Sequence, residues 1–299
     1  VFPELFERPI PNGNWELPKE NGIMPRQLAG RVTFITGASA GIGAATAHAF
    51  GRAGSHLVLG ARRLEVLETL AEELEGIFPI EVMPIRLDVT DNASVDTAVQ
   101  VAVDRFGHID VLFNNAGIGK LDWFENMDVE RDLERQIDIN LVGVMRVTKA
   151  VLPHMQAQHH GHIINMSSMA GYLATPTYTV YAASKFGVRG FSEALRREVK
   201  AWGIHVSAVF PAGVRTGFAR EAVERRKTKL STPSYLALTP EKVADRIVRL
   251  AIHPKRSLVL PRIAFLAVGL NRIWPGLIDG FAVRSFVKRE RAADLQQGS

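Results

Sequence analysis

The chain has 299 residues, of which 46% are hydrophobic and 22% charged, a formal net charge of +5 and no cysteine; this is enough apolar material for one large α/β domain or two ordinary ones. Dispersed basic residues without a long basic arm argue against a nucleic-acid partner, and the missing thiols exclude disulfides, thiolate-held metals and a cysteine nucleophile. No stretch nears the roughly 20 apolar residues of a bilayer span, and no basic segment with an apolar core opens the chain, so a cytoplasmic protein is expected.

Residues 1–28 carry five prolines, from Pro3 to Pro25, and the turn-prone Asn12-Gly13-Asn14, and read as an extended arm that Phe2, Phe6 and Trp15 could anchor. From Arg31 onward, short apolar strands alternate with longer amphipathic helices, the pattern of a parallel sheet with helical crossovers. Strands are predicted at Val32–Ile35, Leu57–Leu59, Ile80–Leu87, Val111–Phe113, Ile163–Met166, Val206–Phe210 and Leu258–Leu260. Helices are predicted from the glycine-rich turn after the first strand to Ala53, then at Leu64–Leu74, Ala93–Phe106, Val129–Gln158 with Pro153 near its end, Val180–Trp202 and Pro240–Ala251. The expected organisation is the arm, one doubly wound α/β domain over 29–260 without a second domain boundary, and an extension over 261–299.

The first strand runs into Thr36-Gly37-Ala38-Ser39-Ala40-Gly41-Ile42-Gly43 and an alanine-rich helix. Strand, glycine-rich turn and helix N-terminus together suit a pyrophosphate, because backbone N–H groups and the helix dipole face the anion and glycine allows close approach. Three glycines in one such turn favour a dinucleotide over a plain tight turn that needs positive φ. The second strand ends in Gly60-Ala61-Arg62-Arg63, where an acid would hold the ribose 2′-hydroxyl of NAD. The two arginines suit the 2′-phosphate of NADP(H) instead; solvated arginines at a helix start are the plainer alternative. Tyr181 and Lys185 stand four apart in a predicted helix and so share one face. An ammonium beside a phenol lowers the phenol pKa, and Tyr181 could then exchange a proton with an alcohol or carbonyl near neutral pH. Taken alone, that spacing is more often a feature of a surface helix.

In order and spacing, the glycine turn, Asn114-Asn115-Ala116-Gly117, Ser168 and Tyr181-x-x-x-Lys185 resemble the short-chain dehydrogenase/reductase family from about Gly30 to Leu260. The resemblance implies a Rossmann-type, seven-stranded parallel sheet with three helices on each face, and hydride transfer between a nicotinamide cofactor and an alcohol or carbonyl. It implies Tyr181 as general acid/base, Lys185 as the group that lowers the Tyr181 pKa and bonds the nicotinamide ribose, and Ser168, ahead of neighbouring Ser167, as a partner of the substrate oxygen. Asn140 would hold a water of a proton relay. Gly37, Ser39, Ala40, Gly41, Ile42 and Gly43 would hold the pyrophosphate, Asp88 and Val89 the adenine, while Asn114 to Gly117, with Asn114, Ala116 and Gly117 as cofactor contacts, would line the cleft and steady the central strand. Pro211-Ala212-Gly213-Val214-Arg215-Thr216 resembles the segment beside the nicotinamide carboxamide, with Pro211, Gly213, Val214 and Thr216 as contacts and Ala212 where the family usually has glycine. The implied protein is an NADP(H)-dependent carbonyl reductase or alcohol dehydrogenase; the alternatives are an NAD-dependent alcohol dehydrogenase and a non-catalytic nucleotide sensor on the same fold. The long helices imply a homodimer or homotetramer.

His159-His160-Gly161-His162 lies away from any carboxylate cluster and reads as solvated or capping histidines, so no metal site is expected. The basic run Arg225-Arg226-Lys227 with Lys229 falls where the family carries a mobile substrate flap and reads as a solvated helix face. Phe218 and the extension suggest a fairly apolar substrate. In the extension, an apolar run from Ile263 to Leu270 precedes Trp274-Pro275, and Phe281, Val283, Phe286 and Val287 follow among basic residues. Two short amphipathic helices broken at Pro275 fit this; they could cover the substrate pocket, join a dimer interface or make a peripheral contact with a membrane surface.

Overall fold

A computed structural model describes residues 27–218, 237–288 and 290–291. The residues expected to anchor the arm, the basic run from Arg225 to Lys229 and the tail beyond Arg291 lie outside these residues. Seven strands, β1 (Val32–Thr36), β2 (His56–Ala61), β3 (Val82–Arg86), β4 (Val111–Asn114), β5 (Gly161–Met166), β6 (Ile204–Pro211) and β7 (Ser257–Leu260), form one sheet in the order β3-β2-β1-β4-β5-β6-β7. Every neighbouring pair is parallel.

Parallel strands need long crossovers, and helices supply them on both faces. The helices α1 (Gly41–Arg52), α2 (Leu64–Ile77) and α6 (Pro240–Ile252) pack on one face; α3 (Asn92–Phe106), α4 (Gly143–Gln158) and α5 (Thr179–Glu198) pack on the other. Side chains alternate along each strand, so Ile35, Leu57, Leu59 and Phe113 enter the first layer while Phe34, Val58, Leu112 and Ile163 enter the second. Two covered faces explain why these strands read as unbroken apolar runs. Pro84 falls in β3, an edge strand, where a missing N–H is tolerated.

Two regions depart from the simplest expectation. The helix predicted over Val129–Gln158 is a helical run in which π turns at Val129–Glu134 and Asp138–Val142 flank a short α segment, Arg135–Ile137, before α4 begins. A π turn holds one residue more than an α turn and changes the direction of the side chains around it. The extension forms α7 (Ala264–Ile273) and α8 (Pro275–Ala282), then a π turn at Val283–Val287. Pro275 occupies the first position of α8, where its missing N–H has no helical partner to lose. None of the side chains in these three segments is fully buried.

From β1 the chain moves outward through β2 to β3, then crosses back to β4 on the other side of β1. Loops leaving the carboxyl ends of β1 and β4 therefore diverge, and a crevice opens between them.

Candidate active site

A cleft of ≈ 1790 Å³ runs along the carboxyl ends of the strands. It exceeds the roughly 300–1,000 Å³ that hold one drug-sized ligand, and so has room for a dinucleotide and a second molecule. The glycine turn, Arg62, Arg63 and Asp88 line one end; Ser168, Tyr178, Tyr181 and Phe218 line the other.

At the first end the chain builds with its backbone. Gly37 and Gly41 take left-handed conformations, with φ of 66° and 57°, which L side chains rarely adopt. At Gly43 a Cβ would stand 2.1 Å from the Gly37 carbonyl oxygen, so the helix can begin this close to the turn only with glycine there. No side chain caps the start of α1, and Ser39, Ala40, Gly41 and Ile42 line the cleft beside it. The free N–H groups of that first turn, with the helix dipole behind them, fit a pyrophosphate.

The turn is fixed from the side by Thr36 and Asn115. Thr36 Oγ1 accepts the backbone N–H groups of Asn115 and Ala116 at 3.0 and 3.1 Å. Asn115 Nδ2 donates to the carbonyls of Thr36 and Gly37, both at 3.1 Å. Of the two roles expected of Asn114, lining the cleft and steadying the central strand, the structure shows the second: it is buried behind the cleft, with Nδ2 donating to Thr148 Oγ1 and Asn165 Oδ1 at 2.9 Å each. It ties β4 to α4 and β5, while Asn115, Ala116 and Gly117 face the cleft. An Asn-Asn pair after a strand carries no sign of which member turns inward; the strand's own alternation decides it.

No acid stands at the end of β2. Arg62 and Arg63 are exposed there, and Arg63 Nη2 donates to Ser39 Oγ at 3.2 Å, beside the glycine turn. Asp88 Oδ1 accepts from the Thr90 backbone N–H and hydroxyl at 2.9 and 2.7 Å. Burial raises the Asp88 pKa, but these two bonds and the field of Arg62 prevail and hold it below the ordinary value. Val89 lines the cleft next to it. Pro211, Gly213, Val214 and Thr216 line the cleft from the end of β6. Ala212 between them donates its N–H to the Leu260 carbonyl at 2.7 Å, continuing the β6–β7 pairing, and its φ is not in the left-handed region that would call for glycine.

The second end is made of side chains. Tyr181 and Lys185 lie one turn apart on α5, with Lys185 Nζ 5.6 Å from the centre of the Tyr181 ring. Nζ donates to the Met166 carbonyl at the end of β5, 3.0 Å away. Ser167 Oγ donates to the Lys185 carbonyl at 2.9 Å and so holds α5 against the strand. The Ser168 side chain lies close enough to the Tyr181 phenol to lower its pKa, and its hydroxyl accepts the Ala170 N–H at 3.1 Å.

Burial pushes the Tyr181 phenol up to about 12, against the influence of the nearby Ser168 side chain, which lowers it. Burial also brings Lys185 down to about 8. The net shift of Tyr181 is therefore upward, because burial outweighs the groups that lower its pKa. Both groups are buried, and desolvation drives each toward its uncharged form.

Asn140 sits behind the cleft, fully buried in the π turn Asp138–Val142. Its Oδ1 accepts the Ile118 N–H at 2.8 Å, and its Nδ2 donates to the Ile118 carbonyl at 2.8 Å and to Ser184 Oγ at 3.3 Å. It thus joins the helical run, the loop after β4 and α5.

Apolar side chains wall the second end: Leu121, Met169, Leu173, Tyr178 and Phe218, the last two with ring centres 6.1 and 6.0 Å from that of Tyr181. The extension braces these walls. Phe265 of α7 packs edge-on to Tyr172 at 5.5 Å. Phe286 lies 6.2 Å from Trp123, whose ring also carries the Arg291 guanidinium at 3.8 Å, and Arg291 pairs with Glu125 at 2.5 Å. Among the described residues the extension contributes none to the cleft lining itself. The expected cover is a brace.

Of the histidine cluster, His159 and His160 are exposed, His160 with Nε2 2.9 Å from Asp110 Oδ1. His162 departs from the solvated reading, because β5 begins at Gly161 and carries it into the core. There its Nε2 lies 2.7 Å from Ser207 Oγ, and burial, helped by His205, lowers its pKa to about 3. Among the described residues no group of three or more His, Asp or Glu side chains is placed to hold a metal ion.

A sequence model of the family described as short chain dehydrogenase matches residues 31–227. A 3-oxoacyl-[acyl-carrier-protein] reductase FabG of Thermotoga maritima is 40% identical over 227 residues, covering 75% of this chain and 92% of that protein. A dehydrogenase/reductase SDR family protein 7-like of Drosophila melanogaster is 32% identical over 275 residues, covering 89% and 83%. Among solved structures, an alcohol dehydrogenase of Thermococcus sibiricus complexed with 5-hydroxy-NADP has a TM-score of 0.70 at 30% identity and covers 77% of this chain and 95% of its own. A Burkholderia phymatum short chain dehydrogenase/reductase in complex with NAD has a TM-score of 0.75 at 26% identity, covering 84% and 96%.

Proposed function

This chain belongs to the short-chain dehydrogenase/reductase family of oxidoreductases, which use nicotinamide cofactors, and we propose that it is an NADP(H)-dependent enzyme that reduces a fairly apolar ketone or aldehyde, or oxidises the matching alcohol. The observation that carries the reading is the juxtaposition of Ser168 and Tyr181 at the apolar end of the cleft. When bound, the cofactor supplies or accepts the hydride. Ser168 and Tyr181 both offer an O–H to the carbonyl oxygen, and Tyr181 releases its proton as negative charge develops there. The raised Tyr181 pKa keeps that proton in place beforehand. The Lys185 ammonium, held toward Met166, favours the phenolate left behind.

NADP(H) is favoured over NAD(H) by two guanidinium groups, and no carboxylate, where β2 meets the cleft. A homodimer or homotetramer belongs to the same proposal; Val129 and Phe186 are exposed apolar residues on the long helices that would meet across subunits. The test is a panel of apolar ketones and aldehydes with NADPH and NADH oxidation as readout. Turnover of at least one compound, with kcat/KM higher for NADPH, is expected. A marked NADH preference overturns the role given to Arg62, and saturable NADPH binding without turnover across the panel favours a nucleotide sensor.

A further inference from the structure

The extension has two unlike faces. Toward the body, Val268, Ile278 and Phe286 are half-buried. Away from it, Ile263, Leu266, Ile273, Trp274, Leu277 and Phe281 are each more than half exposed, from 58% at Trp274 to 72% at Leu266. With Leu270, the residues from Ile263 to Ile273 follow helical steps along α7 and Leu277 and Phe281 a step of four along α8, with Trp274 at the non-helical junction between them, so each helix carries an apolar stripe. The same steps continue from Phe281 to Arg284 and Lys288. Arg262 and Arg272 adjoin the stripe, and Asp279 is the sole acid from Pro261 to Lys288. The positive field extends onto α6: burial, then Arg249 and Arg262, lower the pKa of Arg246.

We propose that this outer face seats on an anionic lipid surface, with α7 and α8 lying in the plane of the interface. An apolar stripe with a tryptophan and a cationic border is what such helices present to anionic lipid. Among the described residues no helix is long and apolar enough to cross a membrane, so the contact is peripheral. The other possible occupant is a second copy of the chain. A self-complementary contact would bring Arg262, Arg272, Arg284 and Lys288 of both copies together with one acid each, and like charges oppose it. Because the inner face props Trp123 and Tyr172, a docked protein would hold the apolar end of its cleft close to the lipid.

The test is co-sedimentation of the full chain with vesicles of phosphatidylcholine alone and of phosphatidylcholine with phosphatidylglycerol. Wild type is expected to bind the anionic vesicles about tenfold or more tightly than the neutral ones, and less well in high salt. The triple variant Leu266→Ser/Leu277→Ser/Phe281→Ser and the charge variant Arg272→Glu/Arg284→Glu should each lose about tenfold or more of that binding. Circular dichroism and thermal midpoints should stay at wild-type values, since all five side chains are exposed. Absence of wild-type binding overturns the proposal, as does unchanged binding by the folded triple variant. A wild-type dimer that the triple variant dissociates, in a protein indifferent to both vesicles, assigns the face to self-association instead.

Discussion

The two ends of the cleft are built by different means. The nucleotide end is backbone: a strand terminus, left-handed turns at Gly37 and Gly41, and the uncapped first turn of α1. The opposite end is assembled from side chains of β5, α5 and the loops around them, with the extension holding two of those loops in place. Backbone groups are the same in every sequence that makes the turn, so the turn itself suits any pyrophosphate, while Arg62 and Arg63 beside it, as proposed, tell NADP(H) from NAD(H). Side chains differ with every substitution, so in the proposed function the chemistry and the choice of substrate fall to the second end.

If that division holds, damage at the two ends separates turnover from binding. Tyr181→Phe is expected to lower turnover about 10²- to 10⁴-fold, with NADPH affinity by fluorescence titration nearly unchanged. Near-normal turnover would remove Tyr181 from the proposed chemistry and erase the contrast.

Lys185 tests the cost of the side-chain end. Its pKa is lowered from 10.5 to about 8, so between those values the unfolded chain binds more protons than the folded one. Stability from this group therefore rises with pH across that window, and the penalty is complete below about 8. Lys185→Met should raise the unfolding free energy by about 2–3 kcal/mol at neutral pH, flatten the slope between pH 8 and 10 in denaturant titrations, and abolish turnover. A variant less stable than wild type at neutral pH would show that the bond to Met166 outweighs the buried charge. Tyr181, raised to about 12, acts in the opposite sense above pH 10, which is why the measurement stops there.

At the backbone end, Gly43→Ala places a methyl group against the Gly37 carbonyl. A loss of about 1–3 kcal/mol in stability, together with weaker NADPH binding, is expected from chemical denaturation and titration. Unaltered values for both would mean the turn is less rigid than the contrast requires. The smallest effect falls to Arg62→Ala, which should cost NADPH about tenfold in kcat/KM, as for one lost charge-assisted hydrogen bond, and leave NADH unaffected. Equal losses with both cofactors would move Arg62 out of the 2′-phosphate role.

The same division explains what could be read from the sequence. The sheet was legible because both of its faces are covered, leaving apolar runs at Val32–Ile35 and Val111–Phe113 between helical stretches. The glycine turn was legible because backbone chemistry needs particular residues in a short span. Thr36 and Asn115 stood in legible motifs, but the bonds by which they join β1 to β4 across the sheet were not, because nothing local marks them. The direction of the Tyr181 shift could not be read from its neighbour Lys185, because the burial that sets it comes from residues distant in sequence, such as Phe218. The π turns escaped a helical pattern that tolerates one surplus residue. His162 escaped because one residue of strand start separates a solvated turn from the core.

Asn140 reaches Ile118 because the turn that carries it, Asp138–Val142, is one residue longer than an α turn. Deleting any single residue there would restore a regular α period and swing every preceding side chain by about 100° relative to α4. The loop after β4 would then lose both bonds that hold it at Ile118. By local helix rules the shortened chain is the better sequence, yet it would fold with its cleft wall unanchored. What aims this asparagine is a count of residues, and a search that scores substitutions without scoring lengths would pass over it.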